Sequence, residues 1–200
     1  MSEPRFYLDN SGGLINDAPY FIPVDRYELL GLLNSNLFWY TVASRATALS
    51  GGYFQLHAQY VETFFVPEIG ELAVRQLTDL TENCQKIALT RIGIQQNLAR
   101  RIPDLCPAGR EAKLSTKLHD WWQLPDFAAF RAEVKKCLKA EIPLSERNAW
   151  EDLFTTSKAE ITKLSAQIKR NEDEINAIVY KLFDLNPDEI KLLEESIGIK

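Results

Sequence analysis

Cysteine, histidine and unbroken apolar stretches are all scarce in this 200-residue chain. The cysteines are Cys84, Cys106 and Cys137, an odd number with no Cys-x-x-Cys pair among them. That excludes a complete disulfide framework and a zinc knuckle, and it is the usage expected of a reduced, cytoplasmic protein. No apolar run approaches the roughly 18 residues of a membrane span. The opening "MSEPRFYLDN" lacks a basic-then-apolar leader, so export is not expected. Positive charge is also short: the net charge of -5 argues against a general nucleic-acid binder.

Recognisable catalytic apparatus is missing too. His57 and His119 have no Ser or Cys nucleophile in a familiar setting, and His119, beside Trp121-Trp122, reads as a packing residue. The Ser-Gly-Gly stretches at 11–13 and 50–52 lack the strand–loop–helix context of a phosphate cradle, and no Gly-x-Gly-x-x-Gly follows a strand. Two stretches imitate a Pro-Asp…Glu-x-Lys nuclease signature: Pro103-Asp104 with Glu111 and Lys113, and Pro125-Asp126 with Glu133 and Lys135. That chemistry needs two carboxylates and a lysine converging on one metal. The first set falls in a proline-broken loop, and the second falls on one amphipathic helix, two turns apart. No catalytic or metal-ligating residue is assigned.

What the chain does have is a core's worth of apolar residues, 46%, and a patterned charge. Residues 1–70 hold three basic and seven acidic side chains, net -4; residues 71–140 hold twelve and eight, net +4; residues 141–200 hold eight and thirteen, net -5. A basic middle lies between acidic ends, and a local basic stripe can follow phosphates because salt screens distant charge.

The first 69 residues read as a small α+β unit. "RFYLD" and "PYFIPV" look like short strands around an "NSGG" turn, Tyr53–His57 like a strand after Ser50-Gly51-Gly52, and "FFVPEI" like a strand closing at Pro67. Between them Asp25 and Glu28 suggest a capping box opening a helix from about Arg26 to Arg45. Leu30, Leu33, Leu37 and Tyr40 form its apolar face. Asn34 and Asn36 fall on the shoulders of that face, where their amides can tie loop backbone to the helix, and Ser35 points away.

Residues 70–200 read as a helical spacer. Leu77, Leu80, Cys84, Ile87, Arg91, Ile94 and Leu98 step by three and four, with Arg91 and Gly93 interrupting. A shorter helix is expected over 126–139. Trp150, Phe154, Ser157, Ile161, Leu164, Ile168, Asn171, Ile175, Ile178 and Leu182 make a heptad seam about 50 Å long. Its simplest partner is the helix over 71–101, packed antiparallel as a coiled-coil-like hairpin. Asn186-Pro187-Asp188-Glu189 opens a last capped helix.

"YELLGLLNSNLFWY" followed by "LSGGYFQLHAQYVETFFVP", preceded by "PRFYLDNSGGLINDAPYFIPV", resembles the end of the TaqI-like target-recognition region of type II restriction-modification methyltransferases that modify adenine. The tail from "SERNAWEDLF" through "VYKLFDLNPDEIKLLEESI" is similar to that family's C-terminal helices, with Asn176 where the family often has Asp and Phe183 where it often has Tyr. The resemblance covers most of 5–69 and 115–197. The family's S-adenosylmethionine-binding core and its Asn-Pro-Pro-Tyr-type motif are absent from this sequence.

The resemblance implies a non-catalytic target-recognition and spacer fragment of a type II restriction enzyme or adenine-specific DNA methyltransferase. Its partners would be double-stranded DNA and a methyltransferase or nuclease catalytic domain, in the same or a separate chain. It would carry no cofactor itself, S-adenosylmethionine and Mg belonging to the missing catalytic portions. Arg45, Thr47, Ser50, Tyr53, Gln55 and His57 are the candidates for base contacts, and Arg91, Arg100, Arg101, Arg110 and Lys113 for phosphates. A monomer is expected over a dimer. The alternative is a helical interaction module that associates through the 150–182 seam.

Overall fold

A computed structural model of the chain describes residues 6–9, 22–46, 58–107 and 109–198, and every regular element among them is helical. The expected α+β class is therefore corrected to all-α. Residues 64–69 carry no strand, nor do residues 6–9 and 22–24, and Tyr53–His57 lie outside the described residues. The in–out alternation at 64–65 is real, but helices supply the partner surface. The Phe64 ring packs edge-on to Phe38 at 5.1 Å and tilted against Phe183 at 5.8 Å, while Phe65 is 71% exposed. A strand needs a neighbouring backbone as well as a buried face, and no second strand lies among the described residues to supply one.

Two compact units make up the chain: residues 1–85 with 169–200, and residues 86–168. The boundary expected at 69/70 falls inside the first. Two long helices, α4 (Glu71–Ala99) and α7 (Arg147–Leu182), contribute to both.

Unit 1 also holds α1 (Tyr27–Leu33), α2 (Asn36–Ala43), α3 (Ala58–Glu62) and α8 (Pro187–Ser196). The single helix expected over 26–45 is broken in two by Ser35. Its backbone is extended, its hydroxyl accepts from the Phe38 N–H at 3.2 Å and donates to the Leu32 carbonyl at 2.6 Å, and the residue is 2% exposed. Ser35 thus caps α2 from inside the core and does not point away. The Asp25–Glu28 capping box does not form. Arg26 takes the N-cap position without a side-chain cap, and buried Glu28 accepts from its Nε at 2.6 Å. Leu32, Leu77, Ile175 and Val179 form one core, and Leu33, Phe38, Trp39 and Val42 a second. The buried side chain of Asn176 accepts from the Asn36 N–H at 2.8 Å, and Asn36 Nδ2 donates to Tyr180 Oη at 3.0 Å. The cap of α8 forms as its sequence predicts: Asn186 accepts from the N–H groups of Asp188 and Glu189, both at 3.0 Å, and Glu189 accepts from the Asn186 N–H at 2.9 Å.

Unit 2 adds a 3-10 turn (Ile102–Leu105), α5 (Thr116–His119), a second 3-10 turn (Trp121–Gln123) and α6 (Phe127–Leu138). Its core is aromatic: Phe154 lies 5.5 Å from Trp121, 5.9 Å from Phe127 and 5.3 Å from Phe130. Such pairs contribute about 0.5–1.5 kcal/mol each beyond area burial. The Trp121 indole is fully buried and donates to the Gln95 carbonyl at 2.9 Å. Within this unit α4 and α7 run antiparallel, with Arg91 bonded to Ser165 and Leu98 sharing a cluster with Phe154 and Ile161. Along α7, Phe154, Ile161, Leu164, Ile168 and Ile175 are buried, and the other five seam positions are half-buried.

Candidate nucleic-acid interface

Charge divides by unit more sharply than along the sequence. Unit 2 holds fourteen basic and ten acidic residues, net +4, and unit 1 holds nine and eighteen, net -9. Because α7 carries the chain back into unit 1 after residue 168, the acidic residues of both ends of the chain fall in one unit.

Of the phosphate candidates, Arg100, Arg101, Arg110 and Lys113 are all exposed and fall within residues 100–113 of unit 2. The fully buried Ile102 pins the start of the 3-10 turn, leaving Arg101 outside. Arg100 Nε donates to the Gln96 carbonyl at 3.3 Å, and the Arg110 N–H reaches the Pro107 carbonyl at 3.2 Å, with Gly109 between at φ +83°. Lys113 lies 3.5 Å from Glu111, both side chains being about four-fifths exposed, a solvent pair worth about 0–1 kcal/mol. Arg91 does not belong with these four. It is half-buried, its Nη1 donates to Ser165 Oγ at 3.1 Å, and its Nε is buried without a hydrogen-bond partner. Of the base-side candidates Arg45 is exposed, with Nη1 3.4 Å from Thr63 Oγ1. Thr47, Ser50, Tyr53, Gln55 and His57 lie outside the described residues.

The single-residue reading missed a second basic group. Arg131, Lys135, Lys136 and Lys139 follow helical spacing on α6, a signal the sequence offers openly. Two of these are engaged: Lys135 lies 2.6 Å from Glu141 and Lys136 3.8 Å from Glu133. Lys139 closes α6 in the left-handed conformation at φ 54°. Bonding to Lys135 holds the Glu141 carboxyl below the usual range.

The second of the nuclease-like sets carries structural work, and the first lies on the surface. Asp126 caps α6 by accepting from the Ala129 N–H at 2.8 Å. Buried Glu133 accepts from Ser115 Oγ at 2.8 Å, which in turn caps α5, and lies 3.4 Å from Cys137 Sγ. The Ser115 bond, then Cys137, Lys136 and Lys117, lower its pKa against the opposing effect of burial. Asp104 stands exposed on the 3-10 turn, and Glu111 pairs with Lys113. His119 is exposed and does not pack as expected. Among the described residues no three or more His, Cys, Asp or Glu side chains are grouped to hold a metal ion, and no helix is long and apolar enough to cross a membrane.

A family model described as a domain of unknown function, DUF8810, matches residues 71–179, more than half of the chain. The chain belongs to the DUF8810 family. No curated protein and no solved structure matches it. The DUF8810 match begins on the first residue of α4, takes in all of unit 2 and ends inside α7. The four exposed cations of residues 100–113 therefore lie within the DUF8810 region, and the candidates from Arg45 to His57 lie outside it.

Proposed function

We propose that this DUF8810 chain is a non-catalytic DNA-recognition and spacer element, the part of an adenine-specific restriction-modification enzyme that positions a separate catalytic domain. The observation that carries the reading is the exposed group Arg100, Arg101, Arg110 and Lys113 on the positively charged unit. Phosphate neutralisation supplies affinity without sequence information. In this reading unit 2 holds the duplex backbone, and Arg45 with the sequence candidates Thr47 to His57 supplies base contacts. S-adenosylmethionine and Mg belong to the catalytic portion, which is a partner and not this chain. The sequence resemblance over 115–197 supports the reading from an independent direction. Association through the 150–182 seam is disfavoured, since each seam position is buried or half-buried within the chain itself.

Binding of a labelled 30-base-pair duplex, followed by anisotropy between about 50 and 200 mM salt, tests this. The full chain should show a linear fall of log K with log salt. Glutamine at positions 100, 101, 110 and 113 should flatten the slope by about 0.9 for each phosphate contact removed. Absence of binding at the lowest salt, or an unchanged slope, refutes the reading.

A further inference from the structure

We infer that Asn34 and Gln85 form a binding site for an extended peptide, filled in this structure by the chain's own Phe6–Leu8, and that a segment of another protein with the same chemistry can take that place. Each amide exchanges two hydrogen bonds with one backbone residue. The Phe6 N–H donates to Asn34 Oδ1 and Asn34 Nδ2 donates to the Phe6 carbonyl, both at 3.0 Å. The Leu8 N–H donates to Gln85 Oε1 at 2.9 Å, and Gln85 Nε2 donates to the Leu8 carbonyl at 3.0 Å.

A primary amide carries the same donor and acceptor as a peptide bond. Two of them, set against alternate residues, reproduce one edge of a strand ladder with no strand present. Residues i and i+2 of an extended chain share an edge and a face, as Phe6 and Leu8 do here. The Phe6 ring packs edge-on to fully buried Phe38 at 5.5 Å, and Tyr7, between them, is 76% exposed. The site therefore reads an aromatic side chain at the first residue and grips the first and third through backbone. Its arms are prepositioned. Asn34 closes α1 and is held by its own Nδ2 to the Leu30 carbonyl at 3.1 Å, and Gln85 stands on α4. Backbone capture with alternate side-chain pockets is how sheet edges bind peptides, and here side-chain amides play the part of the edge. The inference is independent of the DNA reading, none of whose candidate contacts is used.

The test is anisotropy of fluorescein-labelled Arg-Phe-Tyr-Leu-Asp titrated with full-length protein. In F6P/L8P the resident segment loses both N–H donors. That variant should bind the peptide saturably and at least tenfold tighter than the wild type, whose own segment competes. Adding Gln85→Ala, at a half-buried helical position that tolerates alanine, should weaken binding at least fivefold; Gln85→Glu keeps the acceptor, loses the donor and should fall between. Should F6P/L8P fail to fold by circular dichroism, Phe6→Ala carries the same comparison. No saturable binding by a folded variant, or binding that Gln85→Ala leaves unchanged, overturns the inference. A wild-type dimer that the peptide dissociates would assign the site to a second copy and overturn its assignment to another protein.

Discussion

Replacing Gly31 with alanine drives a methyl group into a contact that is already full. Gly31 lies on α1 where that helix meets α4 and α7 in unit 1. A Cβ there would stand 2.6 Å from Thr81 Oγ1, with Ile175 Cγ2 and Leu77 Cδ2 each at 3.8 Å. The two carbons are in ordinary contact, but the oxygen is well inside van der Waals distance. Thr81 is 4% exposed, so its side chain has little room to turn away. Overpacking of this kind costs about 1–3 kcal/mol. Alanine returns about 0.5–1 kcal/mol of helix propensity, leaving a net destabilisation of about 1–2 kcal/mol. The second arm of the argument is Thr81→Ala. It removes the clashing oxygen, which is buried and has no hydrogen-bond partner. In G31A/T81A the alanine at 31 should keep its helical advantage without the overlap. The double variant should therefore be more stable than the sum of the two single changes by the full overpacking term, about 1–3 kcal/mol. Urea unfolding of the four proteins gives the coupling directly. Additivity within about 0.5 kcal/mol would refute the close approach of α1 to α4.

Three further outcomes are expected. The Tyr180 hydroxyl, pushed up to about 12 chiefly by burial with Glu194 adding to it, stays neutral in the fold after the unfolded chain has ionised. Its contribution is complete below pH about 10 and is lost between there and about 12, worth about 1–2 kcal/mol after allowance for partial solvent access. Urea midpoints at alkaline pH should fall in the wild type and flatten in Tyr180→Phe; equal slopes count against the buried hydroxyl. For Glu133 the sign reverses. Its lowered pKa stabilises the fold above the ordinary 4.5, and that stability goes as pH falls through the folded value. Glu133→Gln should lose about 1–2 kcal/mol at neutral pH and show a shallower acid limb, and an unchanged acid limb would dismiss the Ser115 bond as its cause. Trp121→Phe vacates core volume and leaves the Gln95 carbonyl without its indole donor, so thermal or urea unfolding should register a loss of about 2–4 kcal/mol; less than 1 would contradict the described packing.

Long-range order in this chain was legible where one helix carries its own signal. The seam from Trp150 to Leu182, the helix after Asp126 and the Asn186 box all announce themselves through spacing and caps, because the hydrogen bonds that make a helix are local. The amides at 34–36 were partly legible. Asn34 does tie loop backbone to the helix, as its shoulder position suggested, but Ser35 turned out to be the break itself. A Leu-rich run with suitable periodicity hides such a break, since a serine is as compatible with a solvent face as with an internal cap. The strands misled for a different reason. Phe, Tyr and Val alternate with polar residues wherever a segment lies half-buried, and whether the surface beneath is sheet or helix depends on residues such as Phe183, far away in sequence. Charge followed the same rule. The basic middle was visible, but its separation from an acidic unit depends on which distant segments fold together. Arg91, a phosphate candidate that also interrupts the seam of α4, bonds to Ser165 on the facing helix.

The lengths of α1 and α2, seven and eight residues, set the order in which unit 1 comes together. Isolated helices under about 12–15 residues hardly persist in water. Neither half of the pair can nucleate for itself; α1 must wait for the surface that Leu77 and Val179 offer Leu32, and α2 for the cluster that joins Phe38, Trp39 and Val42 to Leu33. Amide protons on these two short helices should then exchange only when the whole unit opens, making them slow reporters of collective unfolding despite sitting in helices of barely two turns.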